Sequence, residues 1–530
     1  MNIGGPARAV IELAKGLPEL FDPYHPDHPS ENKIREQYEH SAHRRGSFNV
    51  TVAAGDPPPE EGQMSDPEVP VLRLPLVRQI SPASDWRSLL AIRRMLVPPP
   101  SRPCMRSVAP NTSPAGVATD TPAGISSDGA GISAASLPAL DNTPARPYDT
   151  RSPATGPNAL PDFPSGFFSG PFDLVNTHMA KAGALARMAA LSTRARPIIV
   201  HTFHGHVLEG YFPTLPSRVL IGLERALAHK TDALVAVSNE IRDELLSLGI
   251  GKPRQWHVIP LGLDLDAYLS IPLTEDTSPY ASDPRSALRN ALSIPHNAPL
   301  LAIIGRLVPV KNHSTALRAL ATGTLSPGAS PVGSQPSKGP STRSQTNDTS
   351  LAAGAYTSGS SEVGSSMTDT SSDDSFATHL LVVGDGELRT RLEEEARDLG
   401  VAGRVHFLGW RTDIPDILSQ TDIVVLTSLK EGTPAVLIEA AAAGKPVVSS
   451  DVGGIRSIVE HKETGLLVPP GNPIELALSI RSLVDHPQLR RAMGTRARRM
   501  AEKRFGTRRF VRDTADLYCD LLASGKAMNK

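Results

Sequence analysis

Short runs of consecutive apolar residues alternate along this chain with longer stretches whose apolar positions return every three or four residues. These are the signatures of buried strands and of amphipathic helices. The pattern is densest in the second half, where residues 299–304, 379–383, 404–408, 423–427 and 447–450 read as strands. Helices are expected between them at 387–399, 414–420 and 434–443, followed by helices at 473–485, 487–504 and 507–523. The first half repeats the alternation more loosely, with strands expected at 48–53, 69–74, 172–178, 197–202, 233–237 and 257–259. Its helices are expected at 7–17, from about 183 to 191, at 217–229 and at 239–248. A segment over 86–96 would gather Leu89, Leu90, Ile92 and Met95 on one face with Arg87, Arg93 and Arg94 elsewhere, as a surface helix or a membrane-surface contact. Strands alternating with helices over short connections predict an α/β chain of two Rossmann-like halves with mostly parallel sheets and a cleft between them.

Two stretches break the pattern. Residues from about 98 to 170 and from about 322 to 377 are rich in Pro, Ser, Thr, Ala and Gly without periodicity, and read as low-complexity insertions. The expected domains are therefore 1–284, carrying the first insertion, and 285–506, carrying the second, with 507–530 as a separate C-terminal helix. Charge adds one exclusion: 54 basic against 55 acidic residues leave a net charge of −1, so no global field favours nucleic acid. The two cysteines, Cys104 and Cys519, lie in unlike surroundings and suggest a reducing compartment. With no apolar run approaching the roughly 20 residues of a membrane span, the expected location is the cytoplasm, or peripherally at the inner face of its membrane.

Candidate chemistry collects at strand ends, where ligands of such sheets lie. The segment Glu431-Gly-Thr-Pro-Ala-Val-Leu-Ile-Glu439 follows a strand, with Thr433 as the expected N-cap of a helix, Pro434 at its first position and Gly444 as its left-handed C-terminal cap. Helical rise puts the two carboxylates roughly 10 Å apart, too far for the nucleophile and acid of a retaining glycosidase. That separation suits the two ends of one elongated anionic ligand, such as a nucleotide sugar with its phosphates at the helix N-terminus. It equally suits an ordinary amphipathic helix with a Glu at each end. Arg306 and Lys311, five residues apart after another strand, could clamp a diphosphate or could be two surface charges. Gly384-Asp-Gly386 allows close backbone approach but lacks the third glycine of a dinucleotide fingerprint. His201, His204 and His206 lack the spacing and accompanying ligands of a metal site, and Asp264-Leu-Asp266 is too common a pattern to carry one. Near the start, Gly4 and Gly5 run straight into a helix whose N-terminus could face an anion.

Taken together these segments resemble the retaining GT-B glycosyltransferases of family 4, the group 1 glycosyl transferases. The likeness rests on Asn2-Ile-Gly-Gly-Pro-Ala-Arg8, Thr177-His-Met-Ala-Lys-Ala-Gly183 and His201-Thr-Phe-His-Gly205. In the second half it rests on Gly305-Arg306-Leu with Lys311, Phe407-Leu-Gly-Trp-Arg411, the two glutamates at 431 and 439, Asp451-Val-Gly-Gly454 and Thr464-Gly-Leu-Leu-Val468. The resemblance implies a hexosyltransferase acting on a nucleotide sugar, expected to be UDP-linked, and on a glycan or lipid-linked acceptor, with no metal required. Arg306 and Lys311 would bind the diphosphate, and Glu431 with the backbone of Gly432 and Thr433 would hold the transferred sugar. Glu439 would hold the ribose, and the backbone around Trp410 and Arg411 would meet the base. His204 would face the sugar, with Gly4 and Gly5 lining the cleft opposite, and the last helix would cross back onto the first domain.

The family's first strand, which precedes the Gly-Gly loop, is not in this sequence, and the expectation is that it lies upstream of residue 1. Two readings of other classes stay open: a non-catalytic GT-B-like binding protein, and a nucleotide-sugar hydrolase or epimerase on the same fold.

Overall fold

The structure, a computed structural model, describes residues 5–19, 50, 52–55, 71–74, 82–96, 172–194, 196–205, 214–273, 287–322 and 377–528. Gly4, His206, Cys104 and nearly all of both low-complexity stretches lie outside the described residues.

In the first half the helix Gly5–Glu19 is followed by strands β1 (Val52–Gly55) and β2 (Val71–Leu74), which pair in parallel as a two-stranded sheet. Strands β3 (Leu174–His178), β4 (Ile198–Phe203), β5 (Ala233–Ala236) and β6 (Trp256–Val258) form a second sheet, parallel throughout and in sequence order. The helices Ala180–Leu191, Thr214–Lys230 and Asn239–Ser247 connect its strands. Ser238 begins the last of these as N-cap, its hydroxyl accepting from the Ile241 N–H.

The second half is a six-stranded parallel sheet in the order β12-β11-β10-β7-β8-β9. Its strands are β7 (Leu300–Ile304), β8 (His379–Val383), β9 (Val405–Gly409), β10 (Ile423–Leu426), β11 (Val447–Ser450) and β12 (Gly465–Val468). The apolar runs seen in the sequence are buried on both faces, as parallel sheets require. In β7, Leu300, Ala302 and Ile304 pack into one core, and Leu301 and Ile303 into another. The helix Ala435–Ala442 covers the first face, and the helices His313–Ala321 and Pro473–Asp485 cover the second. The helix Pro473–Asp485 begins at Asn472, which accepts from the N–H groups of Ile474 and Glu475. Two α/β halves built on parallel sheets, the first of them divided between a two-stranded and a four-stranded sheet, are the GT-B arrangement.

The first core runs on without a break into the first half, through Leu261, Leu263, Val235, Leu13 and Leu17. The last helix, Thr507–Met528, carries Phe510, Val511 and Tyr518 into that same core. It packs along Gly5–Glu19, and Asn176 of β3 donates to the Tyr518 hydroxyl at 2.6 Å. The two segments that cross between the halves lie side by side, the N–H of Leu263 donating to the Phe505 carbonyl at 2.9 Å.

Some local expectations are corrected. The helix carrying Glu439 begins at Ala435 with Pro434, not Thr433, at the N-cap, because Pro434 holds an extended ψ of 114°. The Thr433 hydroxyl is instead buried without a hydrogen-bond partner among the described residues. The basic segment forms a helix over Pro82–Leu96 in which Ile92 is buried and Leu89 and Met95 pack beside it as expected, but Ser88, Ala91 and Leu96 complete the buried side. That side packs against Leu185, Ala189 and Ala190 of the next helix, which leaves the arginines and Trp86 outward. β12 and the short helices Asp266–Leu269 and Ala287–Ala291 were not anticipated.

Candidate active site

The second-half wall is built where β7, β8 and β10 end. After β7 the chain runs through Gly305, Arg306 and Leu307 into a tight turn, Pro309–Lys311. The stem of Lys311 passes within van der Waals reach of where a Gly305 Cβ would be. Its ammonium lies 2.5 Å from Oε1 of Glu431, and the Ser428 hydroxyl donates to that same oxygen at 2.6 Å. Backbone bonds fix the two segments together: Leu429 N–H to the Val310 carbonyl at 2.8 Å, and the Thr427 hydroxyl to the Lys311 carbonyl at 3.1 Å. One diphosphate-clamp candidate and one sugar-site candidate thus form a single pre-assembled pair. Arg306 is half-buried at the β7 end of the same turn.

Gly384 follows β8 and has φ of +135°, a conformation few side chains adopt; a Cβ there would meet the Gly305 carbonyl at 2.0 Å. Only glycine lets the two strand ends lie this close. Leu307 N–H donates to the Asp385 carbonyl at 2.9 Å, so the Gly384 loop is stitched to the Arg306 turn. Beyond β9, Trp410 is 41% exposed. The Arg411 side chain is turned onto Asp413, with Nε 2.8 Å from Oδ1 and Nη2 2.5 Å from Oδ2.

The first-half wall is a histidine cluster at the ends of β3 and β4. His178 Nδ1 and His204 Nε2 are 2.9 Å apart, so one ring must donate and the other accept. Burial pushes His178 down to about 4, and burial together with His178 holds His204 well below its ordinary value. Both rings are therefore neutral near pH 7. Beneath them His201 is buried, with Nδ1 at 2.7 Å from the Thr177 hydroxyl, whose own proton reaches the Val200 carbonyl at 3.2 Å. That arrangement makes His201 Nδ1 the donor. A fully buried arginine lies under this wall: Arg187 donates to both Glu224 carboxylate oxygens at 2.8 and 2.7 Å and to the Gly183 carbonyl at 3.1 Å.

The two walls touch through backbone. Gly205, after His204, faces Gly432, after Glu431, and Gly454 packs between Gly432 and Ser238. His204 and the Glu431 loop are therefore neighbours, although 227 residues separate His204 and Glu431 in sequence.

Glu439 stands apart from this cluster. It is 5% exposed and pairs with the Arg8 guanidinium, while the Tyr268 hydroxyl donates to Oε1 at 3.0 Å. Gly5 opens the helix that carries Arg8. Sequence reasoning gave no role to His178, Ser428, Tyr268 or Arg8. Two of them, His178 and Arg8, sit inside quoted motifs, which was the available signal. Among the described residues no three His, Cys, Asp or Glu side chains converge as a metal-holding group.

Comparison with known proteins gives a consistent picture. Residues 369–500 match the family description "Glycosyl transferases group 1" and residues 128–267 match "Glycosyltransferase Family 4", together just over half of the chain. The first match contains Gly384, Trp410, Arg411, Glu431, Gly432, Thr433 and Glu439, and the second contains His178 and His204. The chain is 26% identical over 357 residues to an Escherichia coli protein, UDP-Gal:alpha-D-GlcNAc-diphosphoundecaprenol alpha-1,3-galactosyltransferase, covering 67% of this chain and 76% of that one. It is 33% identical over 147 residues to N-acetyl-alpha-D-glucosaminyl L-malate synthase of Bacillus anthracis, covering 28% of this chain and 39% of the relative. Among solved structures, Anabaena HepE in complex with UDP superposes with a TM-score of 0.49 at 24% identity, over 66% of this chain and 79% of that one.

Proposed function

Since this chain belongs to the group 1, family 4 glycosyltransferases, we propose that it transfers a hexosyl or N-acetylhexosyl group from a UDP-linked sugar with retention of configuration. The acceptor is a glycan or a lipid-linked saccharide, and the product a surface polysaccharide or other glycoconjugate. A donor of this kind appears in the name of the E. coli relative, and UDP in the HepE complex.

The observation that carries the proposal is the Lys311–Glu431 pair, with Ser428 donating to the same Glu431 oxygen and His204 set opposite across the cleft. In the free protein the ammonium and carboxylate neutralise each other. A donor entering the cleft brings two anionic phosphates for Lys311 and Arg306, and sugar hydroxyls for Glu431 and the backbone of Gly432 and Thr433. Fixed cations beside the phosphate act where negative charge develops as the glycosidic bond breaks, which is where electrostatic assistance is worth most. The bond from the anomeric carbon to the β-phosphate oxygen breaks and the acceptor oxygen bonds that carbon from the same face. Its proton passes to the departing phosphate. No side chain needs to form a covalent intermediate, and the clamp supplies the cationic charge without a metal. His204, neutral and fixed by His178, offers a hydrogen bond to the sugar without adding charge.

The test is a thermal-shift and product assay with a panel of nucleotide sugars and lipid-linked acceptors, with NMR of the anomeric proton. An α-linked donor should give an α-linked product. A product of inverted configuration would overturn retention. Donor turnover at full rate without acceptor would instead make the protein a hydrolase.

A further inference from the structure

Glu439 is gripped by two side chains from outside its own domain. Arg8 comes from the first helix of the first half, and Tyr268 from the segment that leads out of it. Both donate to a single oxygen, Oε1. Glu439 is 5% exposed, and a buried carboxylate is costly unless a cation and hydrogen bonds accompany it, as Arg8 and Tyr268 do here. Burial opposes the charge on Arg8, but Glu439 and Tyr268 together outweigh it and the guanidinium is held more firmly protonated. A glutamate has three freely turning bonds, and holding one oxygen before a ligand arrives removes ordering that binding would otherwise have to supply.

We propose that Arg8 and Tyr268 are positioning residues for donor recognition: by fixing Oε1 of Glu439 they present Oε2 to the ribose hydroxyls, so that nucleotide selection is completed only when the two halves are in contact. This rests on the reading of Glu439 as the ribose carboxylate. The second half supplies the group that recognises the ribose and the first half supplies its orientation. A donor that docked on the second half alone would meet a carboxylate free to turn, and would bind with less discrimination between ribose and deoxyribose.

The test uses the full chain, with binding of UDP and of 2′,3′-dideoxy-UDP measured by calorimetry. The wild type should prefer UDP by about tenfold or more, as expected for hydroxyls bonded to a charged group. Glu439→Gln should lose most of that preference. Arg8→Gln should lose it as well, Tyr268→Phe in part, and Arg8→Gln combined with Glu439→Gln should match Glu439→Gln alone. An ion pair that only held the fold together would weaken both ligands equally and leave the ratio untouched. An undiminished ratio in Arg8→Gln would therefore overturn the inference while the ribose assignment stands. Lack of preference in the wild type would remove the ribose assignment and this inference with it. Should Arg8→Gln not fold, Arg8→Lys keeps the charge but loses the planar fork, and an intermediate ratio is expected; a wild-type ratio there and in Tyr268→Phe would equally overturn the inference.

Discussion

Gly432 lies so close to His204 that a Cβ on it would fall 2.2 Å from the His204 carbonyl oxygen. The two halves thus meet backbone to backbone beside Glu431, and a methyl group there must displace main chain rather than a flexible side chain. Gly432→Ala should reduce kcat by about a hundredfold through misplacement of the reacting groups. UDP binding, which on the proposed reading draws mainly on the second half, should change by less than about threefold. Parallel kinetics and calorimetry check this, and wild-type kcat would show that turnover does not need this approach.

Lys311 pairs with Glu431 at 2.5 Å, and on the proposed reading its loss removes positive charge from beside the leaving group while leaving a mostly buried carboxylate without its cation. Lys311→Ala should lower kcat by about 10²–10³, and Lys311→Arg should restore part of it. Steady-state kinetics with the donor varied would distinguish this from a pure KM effect.

The neutral histidine wall makes stability pH-dependent. His178 titrates near 4 in the folded protein against an ordinary value of 6.5, and His204 is shifted the same way, while the facing groups His201 and Arg187 are themselves basic. The unfolded chain takes up protons that the folded one refuses. The histidine contribution is therefore complete above about pH 6.5 and is lost as pH falls toward 4, on the order of 2 kcal/mol from His178 after allowing for its partial exposure. Tm measured from pH 7.5 to pH 5 should fall, and the fall should be shallower in His178→Asn. Parallel curves would contradict the assignment.

Arg187 and Glu224 form an ion pair with almost no solvent contact, their side chains being 0% and 5% exposed. Removing one partner leaves the other charge buried, so Arg187→Ala should destabilise the protein by about 3–5 kcal/mol. Arg187→Met combined with Glu224→Leu should cost markedly less. Urea denaturation of the single and double variants provides the comparison.

The fold was legible where burial on both faces left a continuous apolar run, as in Leu300–Ile304 and His379–Val383. Gly444 was legible as a helix terminator. Its φ is +70°, with Lys445 N–H reaching the Ala440 carbonyl and Gly444 N–H the Ala441 carbonyl, which is a Schellman motif. The other end was not legible, because a Thr-Pro pair fits two registers and only the tertiary setting of Pro434 selects one. β12 escaped notice because its four residues begin with glycine and follow a polar stretch. The Lys311–Glu431 contact was within reach, since both residues stood out at adjacent strand ends. Nothing in spacing could couple Arg8 to Glu439, 431 positions away. That contact follows from how the halves face each other, and local pattern carries no information about it.

The paired crossing at Leu263 and Phe505 sets how the cleft can open. A single connecting segment would act as a ball joint and leave three rotations free. Two segments bonded side by side, as these are by the Leu263 N–H, resist the rotations that would pull them apart. A relative motion of the halves that kept this pair intact would change distances least beside Leu263 and Phe505 and most at the far lip of the cleft.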